Sequence, residues 1–169
     1  KPRTAFGTNA NSAIRMGIIG CGGRGTSVLS SMSINTGIAI FAMADLLSDR
    51  LQNGISNFNK LNTAKGLPLI SKSNVYQGSK AYLELLNNKN VDGVLISTPC
   101  YAHPEILEAS VAAGKHTYCE KPAAIDVEGC KRVLKVGENV NNKLSVVLGF
   151  QIRYATPYIE MVKRIQRGD

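Results

Sequence analysis

The sequence predicts an α/β domain: a doubly wound parallel sheet of about six strands, ending in a helix that leads to a second domain absent from this chain. Three observations carry the prediction. Short apolar runs alternate with segments of helical periodicity along most of the chain. A glycine cluster follows the first of those runs. The chemically distinctive tripeptides all fall at the carboxyl ends of predicted strands, where open α/β sheets bind their ligands.

The first strand is Ile14 to Ile19, and the glycines after it are Gly20, Gly22, Gly23 and Gly25. Gly20, Gly22 and Gly25 fit the spacing G-x-G-x-x-G ahead of a helix-compatible stretch, Thr26 to Met32. In a dinucleotide site the first glycine permits the tight turn. The second lets a pyrophosphate approach the backbone, and the third lets the helix pack closely on the strand. The phosphates would rest at the helix N-terminus, among free N–H groups and the positive end of the dipole. On the glycines alone, a plain tight turn competes with this reading. The next element adds weight. Gly37 to Ala44 reads as a second strand ending at Asp45, twenty positions after Gly25. An acid there accepts hydrogen bonds from the ribose hydroxyls of the adenosine half and repels a 2′-phosphate, which favours NAD over NADP. The competing reading of Asp45 is an N-cap for the next helix. The competing ligand on this fold is another nucleotide such as S-adenosylmethionine.

Further along, Leu46 to Leu61 places Leu47, Leu51, Ile55 and Phe58 on one helical face. Asn62 to Asn74, with Gly66 and Pro68, reads as a loop or irregular insertion. Val75-Tyr76 is a short strand, and Ser79 is a cap for a helix over Ala81, Tyr82, Leu85 and Leu86. Val91 to Ser97 reads as a buried parallel strand ending in Thr98-Pro99. A helix with Ile106, Leu107 and Val111 follows, with Gly114 at the position just past its end. Lys115 to Cys119 is a strand that runs into Glu120-Lys121-Pro122. A helix from about Asp126 carries Val127, Cys130, Val133 and Leu134 on one face, and Leu144 to Leu148 is the sixth strand. The segment Arg153 to Asp169 breaks the alternation: Tyr154, Tyr158, Val162 and Ile165 make one face of an amphipathic helix.

Composition narrows the function. A length of 169 residues suffices for one domain with a core, and the apolar share of 44% is ordinary. Aromatic residues are few and Trp is absent, which argues against a stacking platform for single-stranded nucleic acid. The formal charge of +8 is spread along the chain, with a local excess at Lys163, Arg164 and Arg167. Without basic-aromatic interleaving this reads as a solvated basic surface that attracts an anionic cofactor, not as a nucleic-acid interface. No apolar run is long enough for a membrane span. The cysteines Cys21, Cys100, Cys119 and Cys130 form no C-x-x-C pair, and neither histidine stands at ligand spacing from them. No metal site is expected, and the cysteines read as small packing residues. The chain begins at Lys1, and residues 1–13 are polar and irregular with no apolar signal core. A removed export signal and a disordered start are both open readings. Localisation is cytoplasmic by default, with export after signal removal as the alternative.

One combination of motifs is more specific than any of its parts. STPCYAHPEILEASVAAGKHTYCEKPAA contains Ser97-Thr98-Pro99, Tyr101, His103, Gly114-Lys115-His116 and Glu120-Lys121-Pro122 in a fixed order. With GIIGCGGRG, the MAD ending at Asp45, and Gly149-Phe150-Gln151 followed by Arg153, the chain from Ile14 onward resembles the glucose–fructose oxidoreductase / inositol dehydrogenase / MocA (Gfo/Idh/MocA) family. Residues 1–13 and 62–74 lie outside the resemblance. It implies a Rossmann domain followed by a mostly antiparallel sheet domain that bears much of the substrate pocket. The division expected is an irregular extension at 1–13, an NAD-binding Rossmann domain at 14–150, and the start of a substrate domain at 151–169.

The resemblance also implies an enzyme: an NAD-dependent oxidoreductase acting on a sugar or polyol, usually a homo-oligomer, with no nucleic-acid or membrane partner. Lys121 matches the lysine beside the nicotinamide, often given a catalytic role. Glu120 matches a cofactor-contacting position, and Thr98, Pro99 and His103 match positions lining the nicotinamide-side ribose. Ser97 and Tyr101 belong to the same cofactor-binding stretch. Gln151 and Arg153 match a stretch that closes over the cofactor. The family's second catalytic group lies in the missing domain. Chemistry agrees for Lys121, because a lysine next to the nicotinamide can hold a carbinol oxygen by hydrogen bond and charge. A solvated strand-end lysine is the competing reading. For His103 the competing reading is a capping or packing histidine. Arg24 is either a phosphate contact or an exposed side chain, and His116 is expected to pack in its strand. The GCGGRG form, with Asn9 upstream, is similar to a branch that includes exported bacterial members. Some relatives are glycosidases that oxidise the sugar transiently, eliminate the aglycone and return the hydride, which gives a second functional reading. A non-catalytic NAD-binding regulator is the third.

Overall fold

In the computed structural model, residues 13–140 and 143–168 are described. Among them six strands form one parallel sheet: β1 (Ile14–Ile19), β2 (Ile38–Asp45), β3 (Val75–Gln77), β4 (Gly93–Ile96), β5 (His116–Cys119) and β6 (Val146–Leu148). Their order is β3-β2-β1-β4-β5-β6, so the chain reverses its direction of winding between β1 and β4. That switch point opens a crevice at the carboxyl ends of the strands. The helices are α1 (Gly23–Asn35), α2 (Ser48–Ala64), α3 (Ala81–Asn87), α4 (His103–Ala112), α5 (Val127–Asn139) and α6 (Thr156–Arg167). The expected extension, including Asn9, lies outside the described residues apart from Ala13. No helix among the described residues is long and apolar enough to cross a membrane.

The central strands are apolar at successive positions because both faces of the sheet are covered. Ile18, Met43 and Leu95 face α1 and α2, where Leu29, Leu51 and Phe58 complete one core. Ile19, Ala44, Val94 and Ile96 face α3, α4 and α5, against Leu85, Leu86, Ile106, Leu107 and Val133. In β2 the alternation slips. Met16 pairs with Ile40 but Gly17 with Ala42, leaving Phe41 as the extra residue of a bulge. Ile38 and Ile40 therefore share a face with Met43, while Ala42 and Ala44 take the other.

Several elements depart from the sequence reading. The buried stripe of α2 is Leu51, Gly54, Phe58 and Asn62, while Leu47 is exposed and precedes the helix. Gly54 lies on this buried face, where an added Cβ would displace Met43 Cε. The helix runs on to Ala64 instead of ending at Leu61. Asn62 then serves in place of a strand: its amide donates to Ile40 O at 2.8 Å and accepts from Ile40 N at 3.2 Å. Ser79 does not cap α3. The residue before the helix is Lys80, and the entering turn is made by the backbone, Ala81 N donating to Gly78 O. In α5 the expected face is wrong for three of its four residues. Val127, Cys130 and Leu134 are exposed, and Gly129, Val133 and Val136 are buried. Gly129 lies so close to Ala124 and Pro104 that it sets the contact face.

Gly114 behaves as expected. Its φ is +72°, Gly114 N donates to Val111 O and Lys115 N to Ser110 O, the pair of bonds that closes a helix at a left-handed glycine. His116, expected to pack, is exposed and its Nδ1 accepts from Ser145 N at 3.0 Å. After β6 the chain makes a 3-10 turn at Gln151–Tyr154 and then α6, which buries none of its residues.

Candidate functional site

The turn after β1 is built as its spacing predicts. Gly20 has φ +93°, and a Cβ there would lie 2.5 Å from Ser97 O and 2.8 Å from Thr98 N. Only glycine allows β1 and the end of β4 to approach this closely. A Cβ on Gly25 would strike Gly20 O, so α1 can start this near the strand only with glycine there. Gly22 and Gly23 differ: nothing lies within 4 Å of a Cβ built on either. Their missing side chains leave open space in front of the helix start, where Gly22 is the N-cap and makes no side-chain cap bond. The donor N–H groups of the first turn face that space, as an anionic pyrophosphate requires.

Asp45 closes the same turn from β2. Its Oδ2 accepts from Cys21 N at 2.6 Å and its Oδ1 from Leu47 N at 2.9 Å. The carboxylate thus braces the glycine turn and the approach to α2 together. It also lines a crevice of about 470 Å³, with Gly20, Gly22, Ser97, Thr98, Pro99 and Tyr101. Seven of the predicted residues therefore share one wall system on the β2–β1–β4 side, at the carboxyl ends of those strands.

The crevice has a further wall that sequence reasoning missed. Leu46 and Leu47 supply apolar surface, and Arg50 follows on the first turn of α2. Lys80, Tyr82 and Glu105 line the crevice as well. Tyr82 Oη donates to Glu105 Oε1 at 2.5 Å, and Lys80 Nζ donates to the same oxygen at 3.1 Å. These two donors hold the Glu105 carboxyl below its ordinary range, the tyrosine contributing most. A signal existed: Gly78-Ser79-Lys80 follows β3, so the strand-end rule that found the other residues reaches it too.

The remaining predicted residues gather on the other side of β4. Glu120 is 3% exposed. Its Oε1 receives Arg24 Nη2 at 3.0 Å, and Arg24 Nη2 also donates to Gln151 Oε1 at 3.3 Å. One guanidinium thus joins the first turn of α1, the end of β5 and the 3-10 turn after β6. Tyr118 Oη adds a long contact of 3.4 Å to Glu120 Oε1, and burial pushes the Tyr118 phenol up from its ordinary value. Two buried polar atoms here have no partner among the described residues, Thr98 Oγ1 and Glu120 Oε2. Unpaired buried oxygens are costly, and a ribose diol supplies the hydrogen bonds they lack. The open helix start and these two orphaned oxygens fit a dinucleotide.

His103 is the first residue of α4 and is 1% exposed. Its Nε2 lies 2.9 Å from Thr98 O and its Nδ1 2.8 Å from Pro122 O. Of the two readings left open for it, this geometry is that of the packing histidine. Lys121 is exposed, two residues beyond β5, and does not line the crevice on the β2–β1–β4 side.

Cys21 and Cys119 are buried beside the site, and burial pushes both thiols up to about 12. They stay protonated at neutral pH and act as packing groups rather than nucleophiles. No group of three His, Cys, Asp or Glu side chains among the described residues could hold a metal ion.

Comparison with known proteins places this geometry. An inositol 2-dehydrogenase from Salmonella paratyphi B is 28% identical over 158 residues, covering 92% of this chain and 42% of its own length. A glycosyl hydrolase family 109 protein from Solibacter usitatus is 30% identical over 128 residues, 76% of this chain and 28% of its own. The crystal structure of scyllo-inositol dehydrogenase from Lactobacillus casei with bound NAD(H) and scyllo-inositol superposes with a TM-score of 0.71 at 21% identity. That match covers 93% of this chain and 42% of the other. The chain thus spans less than half the length of these relatives. Residues 14–148 match the model of the oxidoreductase family with an NAD-binding Rossmann fold, and the chain belongs to that family, Gfo/Idh/MocA.

Proposed function

We propose that the protein is an NAD-dependent oxidoreductase acting on a sugar or polyol at a carbinol carbon, with Lys121 as its catalytic residue. One observation carries the reading. The open phosphate turn after β1, the acid at the end of β2, the orphaned oxygens after β4 and β5, and Lys121 all lie at the same end of one sheet. NAD, when bound, supplies the acceptor for the hydride that leaves the carbinol carbon. The first turn of α1 receives the pyrophosphate, and Asp45 receives the adenosine ribose hydroxyls. Thr98 Oγ1 and Glu120 Oε2 would pair with the nicotinamide-side ribose and so hold that half of the cofactor. Lys121 Nζ donates to the substrate oxygen and stabilises the negative charge that builds there as the hydroxyl proton passes to a base in the second domain. Residues 151–168 lead into a second domain that completes the substrate pocket, and the whole protein is a homo-oligomer.

Lys121→Ala in the full-length protein tests this reading. The expected result is a fall in kcat of about 10²–10⁴-fold with NAD affinity unchanged. Unchanged turnover would remove Lys121 from the mechanism.

The identity with a glycosyl hydrolase family 109 protein favours a second reading, a glycosidase that oxidises and re-reduces its sugar. The two differ in net redox chemistry. Accumulation of NADH during turnover supports the dehydrogenase, and aglycone release without NADH supports the glycosidase.

A further inference from the structure

The sheet loses its own cross-links just where the chemistry begins. The last register pair of β4 and β5 is Ile96 with Cys119, and Glu120 N still donates to Ile96 O at 2.9 Å. Beyond that point no backbone hydrogen bond joins the Thr98 and Lys121 segments among the described residues. The His103 ring bridges them instead, facing Thr98 O at 2.9 Å and Pro122 O at 2.8 Å. Both partners are acceptors, so a neutral ring donates to one and an imidazolium to both. At 1% exposure the ring presents no surface to a ligand. One of its ends sits on Thr98, whose buried hydroxyl has no partner among the described residues, and the other on the residue directly after Lys121.

We propose that His103 is a positioning residue: its imidazole sets the separation of the Thr98 and Lys121 segments and thereby aims Lys121 at the reacting carbinol. The proposal rests on Lys121 being the catalytic residue. It moves His103 from the ribose-lining role that the family resemblance implies to a strut behind the site. The ring belongs to α4, whose Ile106 and Leu107 are fixed in the core, so the strut is anchored to the rigid part of the fold. Small losses of alignment matter at such a place, because a misplacement near 1 Å costs about 10²-fold in rate.

The test uses the full-length protein with His103→Gln, His103→Ala and Lys121→Ala. NAD affinity is measured by calorimetry, turnover with NAD and myo-inositol as the probe polyol, and backbone protection by hydrogen exchange. His103→Ala is expected to lower kcat at saturating NAD by about 10²-fold, with the KM for the polyol within about twofold of the parent. Exchange should quicken in residues 97–102 and 120–126 and nowhere else. His103→Gln, which keeps an N–H donor, should recover part of the loss. Unchanged kcat and protection in His103→Ala would overturn the proposal. So would a weakened NAD affinity with kcat intact at saturating NAD, which marks a ribose contact. Loss of protection throughout the chain in both variants would make the histidine a stability element only, and overturns it as well. Lys121→Ala separates the two ideas. Wild-type kcat there sinks the catalytic reading of Lys121, whereas lost kcat there beside a normal His103→Ala sinks the strut. If the parent does not turn over myo-inositol, segment protection decides: exchange quickened in residues 97–102 and 120–126 alone supports the strut, and unchanged or chain-wide exchange overturns it.

Discussion

Replacing Asp45 by Asn separates two jobs of one carboxylate. In the free protein its two oxygens accept from Cys21 N at 2.6 Å and Leu47 N at 2.9 Å. Asn has one acceptor oxygen, so its amide N–H₂ would face one of those two donors. Hydrogen bonds to a charged group contribute about 1.5–3 kcal/mol, and the half-buried position argues for the lower end. The expected stability cost is therefore about 1.5 kcal/mol, or about 3–6 °C in Tm for a domain of this size. Losing the carboxylate as ribose acceptor should cost NAD a similar amount, about tenfold in Kd. For NADP the sign is opposite. Two unit charges 4 Å apart repel by about 4 kcal/mol at an effective dielectric of 20 and about 1 kcal/mol in water. At an open crevice, about 2 kcal/mol of relief is expected, some 30-fold in affinity. Calorimetric titration with both cofactors should show the NAD preference falling by about 3 × 10²-fold. A lowered Tm with an unchanged preference would refute the ribose contact and leave Asp45 as a brace of the glycine turn.

Two glycines of one motif should respond oppositely. Gly20→Ala puts a methyl group at positive φ against the backbone of Ser97 and Thr98, and should destabilise the fold by about 3 kcal/mol in a denaturant titration. Gly22→Ala enters open space at φ −68°, so its stability cost should stay within about 1 kcal/mol while NAD affinity collapses. Equal effects on both properties at both positions would contradict the division of roles. At the other end of the strands, the Arg15 guanidinium holds the Asp92 carboxyl below its ordinary value, and Asp92 also accepts from Arg15 N at 2.8 Å. A depressed carboxyl stabilises above its unfolded pKa of about 4 and loses that contribution as pH falls through its folded value. Asp92→Asn should therefore lower the stability at pH 7 by no more than about 1 kcal/mol for so exposed a pair, read as a lower Tm, and have no effect near pH 2. A pH-independent difference would show that charge plays no part.

The legible parts of the sequence were those where backbone geometry dictates the residue. Gly20 and Gly25 were legible through their spacing and Gly114 through its place after a helix, because a positive φ or a close approach admits nothing else. The strands were legible as apolar runs, since both faces of a parallel sheet are covered, and their ends pointed to the site. Helix faces were less legible. Counting apolar residues misplaced the contact face of α5, because the closest approach is made by Gly129, which counts for nothing on a hydrophobic scale. It also put Leu47 in the core, although that side chain lines the crevice, where an apolar ligand surface has the same demand as a protein interior. Contacts between distant residues were not legible at all. Arg24 with Glu120, Asn62 with Ile40, and the His103 bridge depend on segments that only the folded sheet brings together.

The claim on which the rest depends is that this chain binds NAD at the turn after β1. Native mass spectrometry of the purified protein, before and after addition of NAD, tests it whether the cofactor is retained or exchanged. One NAD per chain is expected, with the adduct weakened in Gly22→Ala. A protein that carries no dinucleotide as purified and takes up none when NAD is added would contradict it.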